Sequence, residues 1–443
     1  MQVLKFGGTS VGSPERMHHV ADLIQREPGQ KIIVLSAVSG TTNKLVAIAA
    51  ALANKNQEEA RTRLQELEQE YAAFIEELLP AAQLGVAEKI LGEVFAAIRD
   101  QMSQGYGPDS EKVILAQGEL ISTQLFQLYL KSTDVDAVLL PALAFMRTQA
   151  NGEPDLAYIR QHIDELLDTY ESNQLFITQG YICRNAEGAI DNLQRGGSDY
   201  TATLIGAAVQ ADEIQIWTDI DGLHNNDPRV VKETHPVRRV SYREAAELAY
   251  FGAKILHPTC VIPAETENVP IRLKSTFLPE ATGTLISEQA SGQNLTAIAA
   301  KDGICALKIR SGRMLNAYGF LRKVFEVFES YRTPIDMITT SEVSVSLTID
   351  DRSRLPQILA ELRAFGEVSV DEDHSIICIV GDALNEQRGS TKKIFTALED
   401  IPIRMVSYGG SNNNISVLIA TAYKQRALQC LHQELFAPVL VGA

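Results

Sequence analysis

The apolar positions in the first part of the chain follow two alternating patterns. Short apolar runs typical of buried strands alternate with segments whose apolar residues recur every three or four positions, as on one face of a helix. The strand-like runs lie at 3–4, 31–39, 135–141, 175–182 and 213–219, and helical spacing is found at 13–26, 44–53, 56–104, 124–131, 203–209 and from about 242. This order predicts parallel βαβ units, whose ligands lie at the carboxyl ends of the strands.

The pattern changes after about residue 290. Strand-like segments at 304–309, 335–338, 343–349 and 368–370, with helical segments at 319–331 and 353–365, predict a βαββαβ module. A second such order follows at 376–435 without a final strand, which 294–300 would supply if one module were nested in the other. We therefore predict a first domain at 1–290, one small α+β module at 301–372 and another at 373–443.

Charge and composition narrow the function classes. With 40 basic and 56 acidic residues among 443, the net charge is −16, so we expect neither a nucleic acid nor an anionic membrane as a partner. Five cysteines without CxxC spacing argue against a disulfide framework or a zinc site, and we expect no protein metal site. The absence of a signal-like leader and of a membrane-length apolar run favours a cytoplasmic location.

Two glycine pairs stand between a strand and a helix. Lys5 precedes the first pair in KFGGTSV at 5–11, and Arg195 precedes the second in RGGSDYTA at 195–202. Backbone N–H groups at such a turn approach an anion closely, and a neighbouring cation adds to the attraction. Each pair is also compatible with a simple tight turn, and Ser198 or Asp199 is also compatible with a helix N-cap.

Other polar residues have a structural reading as well as a functional one. Ser39 and Thr42 either bind a ligand or cap the following helix. Glu119 interrupts an apolar stretch, so its carboxylate needs a partner, either a protein cation or the ammonium group of a substrate. Lys254 either points at phosphate or caps a helix carboxyl end, and His224 is by default an exposed loop residue.

Several blocks together resemble aspartate kinases of the amino acid kinase superfamily. They are KFGGTSV at 5–11, SAVSGTTN at 36–43, GELIST at 118–123, RGGSDYTA at 195–202, WTDIDG…DPR at 217–229 and FGAKILHP at 251–258. The resemblance implies a mainly parallel sheet sandwiched by helices. It also implies ATP-dependent phosphorylation of the β-carboxylate of L-aspartate to 4-phospho-L-aspartate, with Mg²⁺, at the start of lysine, threonine and methionine biosynthesis.

The same resemblance implies roles for individual residues. Lys5 is expected to contact the transferred phosphoryl group, and Asp199 to organise this lysine and the reacting carboxylate. The residues expected to hold aspartate are Ser39, Thr42, Glu119, Arg195 and Ser198. Those expected to attend the nucleotide are Lys5, Gly7, Gly8, Thr9, Ser10, Thr218, Asp219, His224, Asp227, Arg229 and Lys254. His224 occupies a position that resembles that of a family tyrosine on the adenine side of the nucleotide.

The two C-terminal modules resemble paired ACT domains of lysine-inhibited aspartate kinases. This implies a homodimer or higher homo-oligomer and inhibition by an amino acid, with lysine the expected effector. The residues expected at the effector site are Met314, Gly319, Phe320, Leu321, Ile335, Asp336, Thr340 and Ser341, although the apolar ones also suit the core of any ACT fold. Two alternatives remain: another carboxylate-phosphorylating amino acid kinase, and a non-catalytic amino-acid sensor.

Overall fold

A computed structural model describes residues 1–193, 196–253, 256–289, 292, 295–312 and 318–436. These residues form two units, one of 1–223 with 255–289 and one of 224–254 with 290–443. The predicted first domain, 1–290, includes residues 224–254, which this division assigns to the second unit. The domain limits themselves stay a prediction.

Up to residue 223, strands alternate with single helices or runs of helices, as the apolar pattern predicts, except that three strands follow one another between 175 and 192. The strands are β1 (Gln2–Phe6), β2 (Lys31–Leu35), β3 (Val138–Leu139), β4 (Leu175–Gln179), β5 (Ile182–Arg184), β6 (Ile190–Asn192) and β7 (Glu213–Thr218). The helices are α1 (Pro14–Arg26), α2 (Thr41–Ala53), α3 (Gln57–Leu78), α4 (Ala81–Gln104), α5 (Ser110–Ser132), α6 (Ala142–Phe145), α7 (Leu156–Thr169) and α8 (Gly197–Ala208).

The remaining elements follow in chain order. The strands are β8 (Arg239–Ser241), β9 (Ile271–Ser275), β10 (Thr284–Ser287), β11 (Ala297–Arg310), β12 (Ile338–Thr340), β13 (Ser344–Ile349), β14 (Glu367–Val380), β15 (Ile403–Tyr408) and β16 (Asn414–Ala420). The helices are α9 (Tyr242–Tyr250), α10 (Pro258–Thr266), α11 (Phe320–Ser330), α12 (Leu355–Leu362), α13 (Ser390–Ala397) and α14 (Lys424–Phe436).

The sheet of the first unit is mainly parallel, which confirms the prediction. Its strands run in the order β3, β4, β2, β1, β7, β9, β10, and of the pairings in this order only that between β9 and β10 is antiparallel. Leu4 and Phe6 of β1 pack into a core shared with helices α1 to α5, and strand alternation turns Val3 to the opposite face, where α8 contacts β1. Helices therefore cover both faces, and the carboxyl ends of β1, β2, β4 and β7 meet at one edge.

Several boundaries differ from the sequence pattern, among them the ends of β2 at Leu35 instead of 39 and of β4 at Gln179 instead of 182. The apolar stretch 113–123 lies within the long helix α5, which begins at Ser110 rather than near 124. Its side chains are buried on nearly every face, so the three- to four-residue period of a half-exposed helix is lost. The strand expected at 135–141 is limited to the two residues of β3.

The second unit contains one antiparallel sheet in the order β12, β13, β11, β14, β16, β15. The long strands β11 and β14 are shared by two cores. Ile309 of β11 packs with α11 and α12, whereas Ile298 of the same strand packs with α13 and α14. Residues 297–301 lie beside 376–380, so the start of β11 pairs with the strand that opens the second module.

Residues 224–253 are held in the second unit by specific hydrogen bonds. The N–H of Ile298 donates to Asn225 O at 3.0 Å, and Asn226 Nδ2 donates to Leu428 O at 3.0 Å. Ser241 and Glu244 form a capping box at the start of α9, and the buried carboxylate of Glu244 also accepts from Thr296. The segment is thus anchored to the start of β11 and to α14.

Candidate active site

The first glycine pair forms a tight turn at the carboxyl end of β1. The Ser10 N–H donates to Gly7 O at 2.9 Å, and the Gly7 N–H reaches Trp217 O of β7 at 3.4 Å. A Cβ on Gly8 would lie 2.9 Å from Ala37 O, inside van der Waals contact. Glycine at this position therefore lets the turn pack against the loop that follows β2.

The second glycine pair opens helix α8. Gly196 is its N-cap, with φ 84°, and no side chain caps the helix. Neither Ser198 nor Asp199 is thus the N-cap, so the capping alternative for these residues is wrong. A Cβ on Gly196 would lie 2.5 Å from Cys260 Sγ. The Asp199 N–H donates to Gly196 O at 3.1 Å, so an anion at this helix start would meet the N–H groups of Gly197 and Ser198.

An ion pair joins the two glycine turns. Lys5 Nζ lies 2.6 Å from Asp199 Oδ1, and the two side chains are 12 % and 20 % exposed. Lys5 is fixed by pairing of β1 with Val34 on one side and Ile216 on the other. The aspartate thus orients a mostly buried ammonium at the sheet edge where parallel α/β sheets bind ligands.

Ser198 is positioned by residues that sequence reasoning did not single out. Its Oγ accepts from Ser36 Oγ at 2.9 Å, and the Ser36 carbonyl accepts from Ser122 Oγ at 2.9 Å. A Cβ on Gly180 would lie 2.3 Å from Ser198 Oγ. A glycine directly after the buried strand β4 was the available sequence signal for this close approach.

Glu119 is a buried carboxylate with one free oxygen. The side chain belongs to α5, the residue is 4 % exposed, and its Oε1 accepts from the Ala37 N–H at 3.2 Å. Oε2 is buried and has no hydrogen-bond partner among the residues described here. Burial raises the pKa of Glu119 to about 8, and the Ala37 hydrogen bond opposes that shift.

The hydroxyls expected near the ligands fall into two groups. Ser39 and Thr9 are exposed and Thr42 is half-buried, and the N-cap of α2 is Gly40, so neither Ser39 nor Thr42 caps that helix. Ser10 is buried, and its Oγ shares a 2.7 Å hydrogen bond with Thr276 Oγ1. The Ser10 hydroxyl therefore holds the glycine turn against the segment that contains Thr276.

Comparison with known proteins agrees with this arrangement. The sequence profile of the Amino acid kinase family matches residues 1–275, and that of the ACT domain matches 377–435. Lysine-sensitive aspartokinase 3 of Escherichia coli is 34 % identical over 98 % of this chain and 99 % of its own length. The chain belongs to the aspartokinase family.

Other relatives and solved structures support the same family. Chloroplastic aspartokinase 3 of Arabidopsis thaliana is 35 % identical over 98 % of this chain and 81 % of its own length. The crystal structure of E. coli aspartokinase III with aspartate and ADP has a TM-score of 0.86 at 34 % identity, covering 98 % of this chain and 100 % of that one. The lysine and aspartate complex of the same protein gives 0.80. The sequence interpretation as an aspartate kinase with an amino acid kinase fold and ACT modules is confirmed.

The predicted nucleotide residues of this aspartokinase family member are divided between the units. In the first unit, Thr218 ends β7 and its hydroxyl donates to Asp219 Oδ1 at 3.0 Å. In the second unit, His224 is hydrogen-bonded to Thr234, and Arg229 Nη2 lies 2.8 Å from Asp227 Oδ2. The Arg229 hydrogen bond lowers the pKa of Asp227. The predictions for Arg195 and Lys254 lie outside the described residues.

The expected effector residues occupy different environments in the second unit. Phe320 is buried in the core of the first module, whereas Leu321 is 38 % exposed. Gly319, with φ 79°, is the N-cap of α11. The side chain of Asp336 is buried and bonded to Lys301 and Tyr250, and Ser341 Oγ shares a 2.7 Å hydrogen bond with Ser344 Oγ. Ile335 packs against the same core, Thr340 is exposed in β12, and the prediction for Met314 lies outside the described residues.

Neither a three-ligand metal cluster nor a helix of membrane-spanning length and apolarity occurs in the described part of the chain. No group of three His, Cys, Asp or Glu side chains is placed to hold a metal ion there. No described helix is both long and apolar enough to cross a bilayer.

Proposed function

We propose that this chain transfers the γ-phosphoryl group of ATP to the β-carboxylate of L-aspartate, forming 4-phospho-L-aspartate. The observation that carries the proposal is the 2.6 Å ion pair between Lys5 and Asp199, which places an oriented ammonium between two glycine turns. Membership of the aspartokinase family supports the same reaction.

The reaction needs positioning and charge compensation rather than a general base. The β-carboxylate of aspartate is ionised at neutral pH and is already a nucleophile. Its approach to the γ-phosphoryl group brings two anions together, and phosphoryl transfer depends mainly on overcoming that repulsion in a fixed geometry. Lys5 supplies positive charge at this point, and Asp199 holds the ammonium in place.

Glu119 is the proposed contact for the α-ammonium of aspartate. Its Oε2 is buried and has no partner within the described ranges, which is costly for a carboxylate unless a bound donor satisfies it. The loop of Ser36 and Ala37 links Glu119 to Ser198, because Ala37 bonds to Glu119 and Ser36 bonds to Ser198. Ser198 is proposed to contact the substrate together with Ser39 and Thr42. Arg195 lies outside the described residues, and its position in the sequence is the basis for proposing that it binds the α-carboxylate.

The nucleotide is proposed to bind along the Gly7 and Gly8 turn, in contact with Thr9, Ser10, Thr218 and Asp219. His224, Asp227, Arg229 and Lys254 remain proposed nucleotide contacts. Mg²⁺ neutralises phosphate charge when bound. The described residues offer no three-ligand cluster, so phosphate oxygens and water are the proposed ligands of the ion.

The second unit is proposed to bind an inhibitory amino acid, with lysine as the first candidate. The ACT profile match and the similarity to a lysine-sensitive aspartokinase support this assignment. Feedback then requires that the effector prefer an arrangement with lower kinase activity. A cytoplasmic homodimer or higher homo-oligomer is proposed as the working form.

A coupled assay of ADP release tests the proposed reaction. ATP and Mg²⁺ are supplied with aspartate, glutamate or no acceptor, and hydroxylamine traps the acyl phosphate. We expect turnover with aspartate and little with glutamate. Lysine, threonine and methionine are then added separately, and inhibition by lysine alone is expected. Turnover with glutamate but not aspartate would assign the chain to another acceptor.

A further inference from the structure

Asp336 is a deeply buried carboxylate of the second unit. Its side chain is 1 % exposed, and its backbone N–H donates to Thr348 O at 2.9 Å, which fixes its position beside β13. A charge removed from water to this extent requires a nearby cation or donors. The two oxygens of the Asp336 carboxylate differ in how they meet this requirement.

One oxygen of Asp336 is fully engaged and the other is not. Oδ1 lies 2.8 Å from Lys301 Nζ and accepts from the Tyr250 hydroxyl at 2.9 Å. Oδ2 is buried and has no hydrogen-bond partner within the described residues. An unpartnered buried oxygen next to a satisfied one is the arrangement expected where a ligand donor completes the site.

Lys301 is shared between two carboxylates. Its Nζ also lies 2.8 Å from Asp350 Oδ2, and it stands 4.6 Å from the centre of the Tyr250 ring. Asp350 is 37 % exposed, so solvent and Asp350 together can hold the ammonium without Asp336. The ammonium therefore has one partner in the protein interior and a second at the surface.

We propose that the Lys301 ammonium is a built-in competitor of the amino acid effector for Asp336. The effector ammonium has the same charge and donor chemistry as Lys301 Nζ, and two ammonium groups on one buried carboxylate repel each other. When the effector ammonium binds Asp336 through Oδ2, Lys301 therefore shifts to Asp350. Lys301 thereby sets the effector affinity of the second unit. This inference rests on the proposed regulation by an amino acid, which supplies the ammonium group.

The exchange preserves charge balance, which makes it energetically feasible. With the effector absent, Lys301 neutralises Asp336. With the effector bound, the ligand ammonium neutralises Asp336 and Asp350 retains Lys301. No buried charge is left alone in either state, whereas a simple departure of Lys301 would strand the Asp336 carboxylate.

Lysine binding to the full-length chain tests the proposal by isothermal titration calorimetry, with inhibition of ADP release as a second readout. Lys301→Met removes the competitor and is expected to lower the Kd for lysine about tenfold. Asp350→Asn removes the alternative partner of Lys301 and is expected to raise the Kd several-fold. Lys308→Met, in the same strand β11, is the matched control and is expected to leave the Kd unchanged.

The opposite signs separate competition from simple bracing. If Lys301 only holds Asp336 in place, Lys301→Met and Asp350→Asn both weaken binding, and that result overturns the proposal. Lys301→Gln keeps a neutral donor and serves as a second test if the methionine variant folds poorly. It is also expected to lower the Kd for lysine. If Lys301→Met binds lysine and the original chain shows no measurable binding, that result also supports competition. Absence of binding in every variant, tested with lysine, threonine and methionine, overturns the proposed regulation together with this inference, while kinase turnover tests the reaction separately.

Discussion

The backbone N–H of Ala37 donates to Glu119 Oε1 at 3.2 Å and so ties the loop after β2 to the middle of helix α5. The same loop touches the glycine turn at Gly8 and, through Ser36, the start of α8 at Ser198. One short loop therefore connects the Lys5 and Asp199 ion pair with the buried carboxylate of Glu119.

Replacement of Lys5 removes the ammonium proposed to stabilise the transferred phosphoryl group. We expect Lys5→Met to lower kcat by about 10²–10³-fold, the usual effect of losing one preorganised electrostatic contact. Circular dichroism and thermal unfolding are expected to show a folded protein. Lys89→Met is the control, since the Lys89 side chain is 79 % exposed and distant in sequence, and its activity should be unchanged. Equal activity of both variants would contradict the proposed role of Lys5.

Replacement of Glu119 removes the proposed contact with the substrate ammonium. Glu119→Gln keeps the size of the side chain but not its charge, and we expect KM for aspartate to rise about tenfold or more with a smaller effect on kcat. KM for ATP serves as an internal reference and should change little. Glu66→Gln, on the exposed face of α3, is the matched control. A change confined to kcat would argue that Glu119 does not bind aspartate.

The raised pKa of Glu119 predicts a pH dependence of substrate capture. Burial raises this pKa to about 8, so the carboxylate of the free enzyme is largely protonated below that pH and cannot pair with an ammonium. We expect kcat/KM for aspartate to rise with pH up to about 8 through this group. The same profile recorded for Glu119→Gln should lack that rise, and its persistence would assign it to another group.

The same group predicts a pH-dependent difference in stability. Its pKa is raised from 4.5 in the unfolded chain to about 8 in the folded one, so the folded state retains a proton that the unfolded state releases. Stability contributed by the protonated group is therefore lost as pH rises from about 4.5 through 8. Without ligands, Glu119→Gln is expected to gain apparent Tm relative to the original chain at pH 8, on the order of 2 °C or more. The gain should shrink towards pH 5, and a constant offset would contradict the linkage.

Gly180 tests the packing behind Ser198. A Cβ at this position would lie 2.3 Å from Ser198 Oγ, so Gly180→Ala must displace the start of α8. We expect a loss of about 1–3 kcal/mol in stability and at least tenfold lower kcat/KM for aspartate. Gly92→Ala is the matched control, because nothing lies within 4 Å of its added Cβ and alanine favours the interior of α4. A Gly180→Ala variant with normal kinetics would show that Ser198 need not be held at this position.

The amino-acid sequence alone determined the parallel sheet, the two glycine turns and the family. These features depend on local chemistry: apolar runs that alternate with helical spacing, glycine where backbone must approach backbone, and charged residues at fixed positions beside them. Lys5, Glu119, Ser198 and Asp199 stood out by their neighbours in the chain, while the resemblance to aspartate kinases implied their roles, which remain proposals. Parallel strands present their carboxyl ends at one edge, which predicted that the turns after β1 and β2 lie together.

Only the tertiary structure decided which polar atoms are used up and which are free. Ser10 and Glu119 are both buried polar residues, yet Ser10 bonds to Thr276 while Glu119 keeps one oxygen without a partner among the described residues. Asp336 likewise gains its two partners from Lys301 and Tyr250, which are 35 and 86 residues away. The physical reason is that burial and hydrogen-bond saturation depend on contacts between distant segments, which local patterns of residues do not specify.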